Sequence, residues 1–386
     1  MTTSYPIEPS SVSGVFVKHL CDALEALGKF ELTIVTPSYQ VVERDNSSVK
    51  FVRYAPKELE NIAHSPGGLP AALNRSKWNL VWLISMFLML FLSGFNLAKK
   101  SDVLHAHWSL SGVLLVFWSC VFRRKLVVTL RGQDVNLAKK KKVFKILLDI
   151  VIRYADVVVC VSQNQVDYLR NSYSFAVKKI ILIPNGVEKV FFEIGSRRKK
   201  LNFKKKKKIK LLTSSSLIPI KKNEVLIRSL LFLDKKFELV LLGDGPERMN
   251  LERLVAELKL QDRVLFTGQM TGNEKLNYWE DADIFVFASE SEGRPNVLYE
   301  AYASRLPAVV SDIPGNREIM GVEALYFPVG NVDKLVENIM TIEEQSVQKK
   351  QHFEQDQLFN ELLSWRQSAE RHSKLYFDML QRRVTE

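Results

Sequence analysis

Cysteine and histidine are scarce in this chain, with three and six copies among 386 residues. Cys21, Cys120 and Cys160 are odd in number and show no spacing that would cradle a metal. Reduced, mostly buried thiols are therefore expected, and a disulfide-framed secreted fold is excluded. No secretory signal is visible in the opening Met-Thr-Thr-Ser-Tyr-Pro, which has neither a basic region nor an apolar run, so none is expected. Acidic residues are outnumbered, 43 Asp and Glu against 55 Lys and Arg, for a formal charge of +12. No recognition motif or aromatic ladder accompanies the basic residues, so nucleic acid is not the expected partner.

The basic residues are bunched. Ten of the fourteen residues from Arg197 to Lys210 are Lys or Arg, and Lys139–Lys142 with Lys145 forms a second cluster. Such runs attract anionic lipid or phosphorylated substrates, or else coat a solvated linker or helix face. One long apolar run, Trp78 to Ala98, carries no charge and is long enough for a membrane-crossing helix. Arg75, Lys77, Lys99 and Lys100 flank it. The run lies between strands that must share a sheet, and spanning would put those strands on opposite sides of a bilayer. An interfacial or membrane-dipping helix is expected, with a plain core helix and, last, a true span as the alternatives.

Buried apolar strands alternate with amphipathic helices along the whole chain, which means parallel sheets covered on both faces. In the first half the strand candidates are Leu32–Thr36, Val103–His105, Leu126–Leu130, Val157–Val161 and Ile180–Ile183. In the second they are Ile209–Thr213, Glu238–Leu242, Val264–Phe266, Ile284–Ala288 and Ala308–Ser311. With 386 residues, two doubly wound domains are the natural architecture. The expected boundaries are an N-terminal domain over 1–190, a basic linker over 191–208 and a C-terminal domain over 209–350. A helix over 351–386 is expected to pack back on the first domain. A doubly wound first domain needs a strand before the loop that contains Ser13-Gly14. Almost nothing precedes that loop, so either the native start lies upstream or the first strand is unusually short.

The most informative segment is Glu292-Gly-Arg-Pro-Asn-Val-Leu-Tyr-Glu300-Ala301. It follows a strand and opens a helix near Pro295, where a missing N–H costs nothing. The backbone N–H groups of Asn296 and Val297 suit a diphosphate. Glu300 lies about one turn further in, placed to accept hydrogen bonds from a ribose diol. Glu292, just ahead of the helix, is placed for sugar hydroxyls.

This segment resembles the signature of the family 4 retaining glycosyltransferases, two glutamates separated by seven residues. Pro184-Asn-Gly-Val187, Gly243-Asp-Gly-Pro246, Val264-Leu-Phe-Thr-Gly268 and Asp312-Ile-Pro-Gly-Asn-Arg-Glu318 resemble further segments of that family, in the same order. The resemblance implies the α/β GT-B fold, two Rossmann-like doubly wound domains facing across a cleft. It implies Glu300 on the ribose, Glu292 on the donor sugar and Lys221 on the diphosphate. Ser216 stands where the family usually places an arginine, with Lys222 a partial substitute. Gly14 resembles the glycine of the loop that closes on the phosphate. His107, in His105-Ala-His107-Trp108, matches the family's histidine near the reacting sugars. Thr129-Leu-Arg131-Gly-Gln-Asp134 resembles the acceptor-side loop, with Arg131 where histidine is usual; an arginine there would suit a phosphate-bearing acceptor.

The resemblance implies a hexosyltransferase that takes a sugar from a nucleoside diphosphate sugar to a saccharide or lipid-linked acceptor, in cell-surface polysaccharide or glycolipid synthesis. It also implies no cofactor and no bound metal. Asp281-Ala-Asp283 matches an Asp-x-Asp metal motif in form but reads as the polar start of a buried strand. Together with the apolar run and the lysines, the resemblance implies a cytoplasmic protein held peripherally on the anionic inner face of the cell membrane. Alternatives are a GT-B-like epimerase or phosphorylase, or a catalytically inactive GT-B scaffold that binds nucleotide sugar or membrane. Ser216 points weakly to the scaffold, while Lys221, Glu292 and Glu300 point away from it.

Overall fold

A computed structural model of the chain describes residues 1–6, 14–39, 48–60, 79–198, 206–270, 272–322, 324–345 and 362–382. It divides into two compact units, Met1–Gly186 with Trp365–Glu386, and Val187–Ser364.

The second unit is built on one six-stranded, all-parallel sheet. Its strands are β7 (Ile209–Ser214), β8 (Phe237–Leu242), β9 (Val264–Gly268), β10 (Ile284–Phe287), β11 (Ala308–Ser311) and β12 (Ala324–Phe327). Their spatial order is β9-β8-β7-β10-β11-β12. β7 pairs with β8 on one side and β10 on the other. Successive residues therefore bury on opposite faces: Leu211 and Leu239 pack in one apolar layer, Leu212 and Val240 in another. Such double burial explains why these strands read as unbroken apolar runs. The chain direction reverses between β7 and β10, the topological switch point where sheets of this kind hold ligands beyond the carboxyl ends of their strands.

The first unit repeats this plan in two hydrogen-bonded pieces. β1 (Ile34–Pro37) pairs in parallel with β2 (Val49–Val52). A second parallel sheet runs β3 (Val103–His107), β4 (Lys125–Leu130), β5 (Val157–Cys160) and β6 (Ile180–Leu182). Met1 and Thr2 lie between the two pieces. Thr2 N–H donates to the Val35 carbonyl at 3.0 Å, and His107 N–H donates to the Met1 carbonyl at 3.0 Å. These two residues lie where a further strand would run between β1 and β3, so this unit too has its switch point, between Met1–Thr2 and β3. The three cysteines are free, with Cys21 and Cys160 buried and Cys120 exposed.

Three segments differ from their sequence-based expectations. β2 and β12 were not anticipated. The stretch read as a linker begins with a helix, Lys189–Arg197, because Phe191 and Ile194 in it are apolar and bury in the second unit. The C-terminal helix is described over Trp365–Arg382 and packs on the first unit, where Tyr376 and Met379 join Leu20 and Leu24 in a common cluster. Of the rest of its expected range, 362–364 are not helical, Val187 N–H donating to the Leu363 carbonyl at 2.7 Å, and the others lie outside the described residues.

The apolar run forms the helix Asn79–Lys100, long and apolar enough to cross a membrane by length and composition; Trp78 lies outside the described residues. One face, with Met86, Leu90, Gly94 and Leu97, buries in the first unit. Ser85 Oγ donates to the Tyr54 carbonyl at 2.6 Å, and the Phe91 carbonyl accepts from Trp118 Nε1 at 2.6 Å. The opposite face leaves Leu80, Ile84, Leu88, Leu92 and Phe95 exposed.

Candidate active site

In the second unit the loops after β7 and β10 meet at the switch point. Gly243, at φ 139°, approaches the first loop so closely that a Cβ there would stand 2.0 Å from the Ser215 carbonyl oxygen. Only glycine tolerates both that φ and that contact. The Asp244 carbonyl accepts from Leu217 N–H at 2.9 Å, which staples the loop after β8 to the loop after β7. Ser216 is left exposed. The 3₁₀ turn Pro219–Lys221 is tied to the loop after β10, since Glu290 N–H donates to the Ile220 carbonyl at 2.9 Å. The Lys221 ammonium thereby pairs with the Glu292 carboxylate, with the two side chains 18% and 13% exposed. Lys222, at φ 51°, turns to Glu290 instead, at 3.5 Å.

Pro295 caps the helix Asn296–Ala303, so Asn296 and Val297 form its first turn and Glu300 follows one turn later. A helix start of this kind carries a partial positive charge that favours an anion. Glu300 Oε2 accepts from Lys275 Nζ at 2.8 Å, with side chains 18% and 22% exposed. Lys275 lies over the Phe191 ring at 5.1 Å. Sequence reasoning missed Lys275, because its partner is 25 residues away and nothing in its own helix marks it. Arg294, also missed, donates from Nε to the Tyr299 hydroxyl and faces Glu318 at 3.8 Å.

In the first unit the predicted residues gather at the corresponding place. Gly14 sits at φ 75° ahead of the helix Val15–Ala26, and a Cβ there would meet the Ser4 carbonyl oxygen at 2.4 Å. Ser13 lies outside the described residues. His107 ends β3 and is buried. Its Nδ1 is 2.9 Å from Arg131 Nη2, and Arg131 Nη1 donates to Asn185 Oδ1 at 2.5 Å. Arg131 also stacks 4.7 Å over the Phe16 ring. The Asp134 carboxylate is buried and turned inward. It accepts from Ser109 N–H at 2.7 Å, Ser109 Oγ at 2.9 Å and Arg131 N–H at 2.9 Å. Asp134 thus pins the loop that carries Arg131. Burial pushes its carboxyl upward, opposed by those hydrogen bonds.

Burial, and next the Arg131 charge, hold His107 well below the usual histidine range. Burial also lowers His105, and lowers Arg131 to about 10. His105 is bonded at both nitrogens, to the Tyr376 hydroxyl at 2.7 Å and Thr129 Oγ1 at 2.8 Å. It is therefore a structural histidine, which locks β3 to the C-terminal helix.

The Asp-x-Asp pair lies at the opposite end of the sheet, before β10. Asp281 pairs with Lys210 at 2.8 Å, while Asp283 accepts from Lys210 N–H at 2.9 Å and pairs with Lys206. Part of the basic run is thus neutralised within the second unit. Among the described residues no group of three or more His, Cys, Asp or Glu is placed to hold a metal.

Two parallel, doubly wound units with switch-point loops of this composition define the GT-B fold, the architecture of nucleotide-sugar glycosyltransferases. A solved structure of the Anabaena protein Alr3699/HepE in complex with UDP and glucose superposes with a TM-score of 0.70 at 17% identity, covering 97% of this chain and 98% of that one. The sequence model described as Glycosyltransferase Family 4 matches residues 13–190, and that described as Glycosyl transferases group 1 matches residues 195–357. The chain belongs to this glycosyltransferase family. It is 26% identical to the N-acetyl-alpha-D-glucosaminyl L-malate synthase of Bacillus anthracis over 230 residues, 58% of this chain and 59% of that protein. It is 33% identical to the alpha-monoglucosyldiacylglycerol synthase of Streptococcus pneumoniae over 171 residues, 41% and 38% of the two chains. The matched stretches therefore span about half the length of these relatives or less.

Proposed function

We propose that the protein is a retaining, metal-independent hexosyltransferase that moves a sugar from a nucleoside diphosphate sugar to a saccharide or lipid-linked acceptor in polysaccharide or glycolipid synthesis. The observation that carries this reading is the meeting of Lys221 and Glu292 at the switch point, with Glu300 one turn into the following helix. Glu300 holds the ribose diol, and Lys221 with the Asn296–Val297 helix start holds the diphosphate. The sugar carbon–phosphate oxygen bond breaks, and the charge on the leaving phosphate is stabilised by donors already in position. The acceptor hydroxyl bonds to the anomeric carbon on the face the phosphate leaves, and its proton passes to a phosphate oxygen. Glu292 binds hydroxyls of the moving sugar; His107, in the first unit, is a further hydroxyl-binding side chain. Arg131 lies on the acceptor side, with Asp134 holding its loop. The chemistry requires no resident cofactor.

The test is calorimetry and transfer assays with UDP-, GDP- and ADP-hexoses. Nucleotide binding and turnover that survive EDTA are expected. Loss of turnover in EDTA, with recovery in magnesium or manganese, would refute metal independence.

The acceptor is proposed to be met at an anionic membrane surface on the cytoplasmic side. The outward ridge Leu80, Ile84, Leu88, Leu92 and Phe95 continues into Phe117 and Val121 of the neighbouring helix Ser109–Val121, which Phe117 joins to Phe91 at 5.6 Å. Lys139–Lys142 are all exposed in the same unit. An apolar face plus a basic cluster are the two signals stable peripheral attachment needs. Pelleting with phosphatidylserine-containing vesicles should fall as salt rises. Replacing both Ile84 and Leu88 with glutamate should abolish it. A protein that stays in the supernatant at low salt contradicts membrane attachment.

A further inference from the structure

We propose that Arg131 is a positioning residue that fixes the tautomer of His107, so that this histidine serves as a neutral hydrogen-bond donor through Nε2 and not as a proton acceptor. The role of His107 toward a sugar rests on the function proposed above; the tautomer does not.

A guanidinium carries five N–H donors and no acceptor. At 2.9 Å from Arg131 Nη2, His107 Nδ1 can only accept. A neutral imidazole with an accepting Nδ1 carries its proton on Nε2. Arg131 is held in place from three sides. Its Nη1 donates to Asn185 at 2.5 Å, its backbone N–H donates to Asp134 at 2.9 Å, and its guanidinium carbon lies 4.7 Å from the centroid of the Phe16 ring. Asp134 is fixed in turn by both donors of Ser109. No described residue accepts from His107 Nε2. The adjoining His105 ring, 4.5 Å away between centroids, spends its own nitrogens on Tyr376 and Thr129. The one free function of His107 is therefore an Nε2–H directed at an incoming oxygen.

This arrangement has a consequence for substrate choice. A histidine at position 131 could donate or accept toward His107 and would leave the tautomer open. An arginine permits one pattern only. His107 in this chain should favour a ligand oxygen that accepts, such as a hydroxyl lone pair or a carboxylate, over a group that must donate its proton.

The experiment uses the full chain with ¹⁵N-labelled histidine. Long-range ¹H–¹⁵N correlation spectra at pH 7 report which ring nitrogen is protonated, and His107→Asn assigns the signals. Wild type should show a protonated Nε2 and a bare Nδ1. Arg131→Lys, which keeps a donor, should retain that pattern, and Arg131→Leu should give mixed tautomers. A wild-type ring protonated on Nδ1, or on both nitrogens, overturns the proposal, and so does an unchanged pattern in a folded Arg131→Leu. If Arg131→Leu does not fold, the wild-type spectrum and Arg131→Lys still decide. In sugar transfer, Arg131→Leu should lower kcat by about tenfold, the scale of losing one hydrogen bond. Nucleoside diphosphate affinity should stay the same, and Arg131→Lys should recover most of kcat. The expected tautomers in a protein that turns over no sugar nucleotide would refute the proposed function and leave the tautomer assignment standing.

Discussion

The two units share one plan and use it differently. At the switch point of the second unit the functional side chains form cation–carboxylate pairs, Lys221 with Glu292 and Lys275 with Glu300, each partner 13–22% exposed. At the switch point of the first, they form a closed network of His107, Arg131, Asn185, Asp134 and Ser109, bonded to one another. Partly solvated ion pairs exchange partners at little cost, because each charge can be taken over by a ligand group. A buried network is costly to break, because each donor or acceptor left alone loses its hydration as well. On the proposed function, the ion pairs of the second unit are the contacts a nucleotide sugar would rearrange, whereas the network of the first unit would stay fixed.

The largest effect that would test this contrast is on turnover. Lys221→Ala should lower kcat for sugar transfer by about 10²–10³, the usual loss when one preorganised donor to developing negative charge is removed. Its melting temperature should change little. A variant with near-normal kcat would remove Lys221 from the leaving-group site.

Next is Asp134→Ala. Buried donors on Ser109 and Arg131 would lose their charged acceptor, and stability should fall by about 2–3 kcal/mol in urea unfolding. Nucleotide affinity, carried by the second unit, should not move. A loss of stability no larger than that of a surface substitution would show that the network is not closed.

Glu300→Ala should weaken nucleoside diphosphate binding by about 1–3 kcal/mol in calorimetry, because a ribose diol loses charged hydrogen bonds. The unliganded protein should unfold at nearly its usual temperature, since the Lys275 pair is partly solvated. Unchanged affinity would sink the ribose assignment.

The smallest effect is pH-dependent. Burial lowers His105 and His107 well below the ordinary value of 6.5 and lowers His372 to about 4. The unfolded chain binds these protons first, so the stability they contribute is complete above about pH 6.5 and is lost as pH falls toward 4. Thermal scans from pH 7.5 to 5 should therefore weaken the first unit more than the second, whose one histidine, His352, lies outside the described residues. Parallel weakening of both units would contradict this assignment.

Much of the sheet framework was legible in the sequence, because a strand buried on both faces must be apolar throughout. Ala308–Ser311 was expected with the bounds the structure has, and Ile209–Thr213 fell one residue short. β2 was missed because Lys50 breaks its apolar residues and only Val49 is fully buried; β12, Ala324–Phe327, is a short apolar run that was overlooked. The helix Lys189–Arg197 was hidden by the basic residues that follow it. The pattern from Glu292 to Glu300 was legible because a helix start fixes its own spacing. Partnerships across the sheet were not. Lys275 with Glu300 and Arg131 with His107 join residues 24 or 25 positions apart, and only the strand order brings them together. The sequence suggested Asp134 as an acceptor-side ligand, and the fold turns that carboxylate inward.

The most direct test of glycosyl transfer is a ¹H NMR time course of the folded protein with UDP-, GDP- and ADP-hexoses and a simple alcohol as acceptor. The account predicts that at least one donor is consumed, with release of the nucleoside diphosphate and a glycoside of the same anomeric configuration as the donor. Lys221→Ala should slow that consumption by about 10²–10³. No consumption of any donor by a protein that binds the nucleotide would favour an inactive scaffold, and an inverted glycoside would contradict the front-face mechanism.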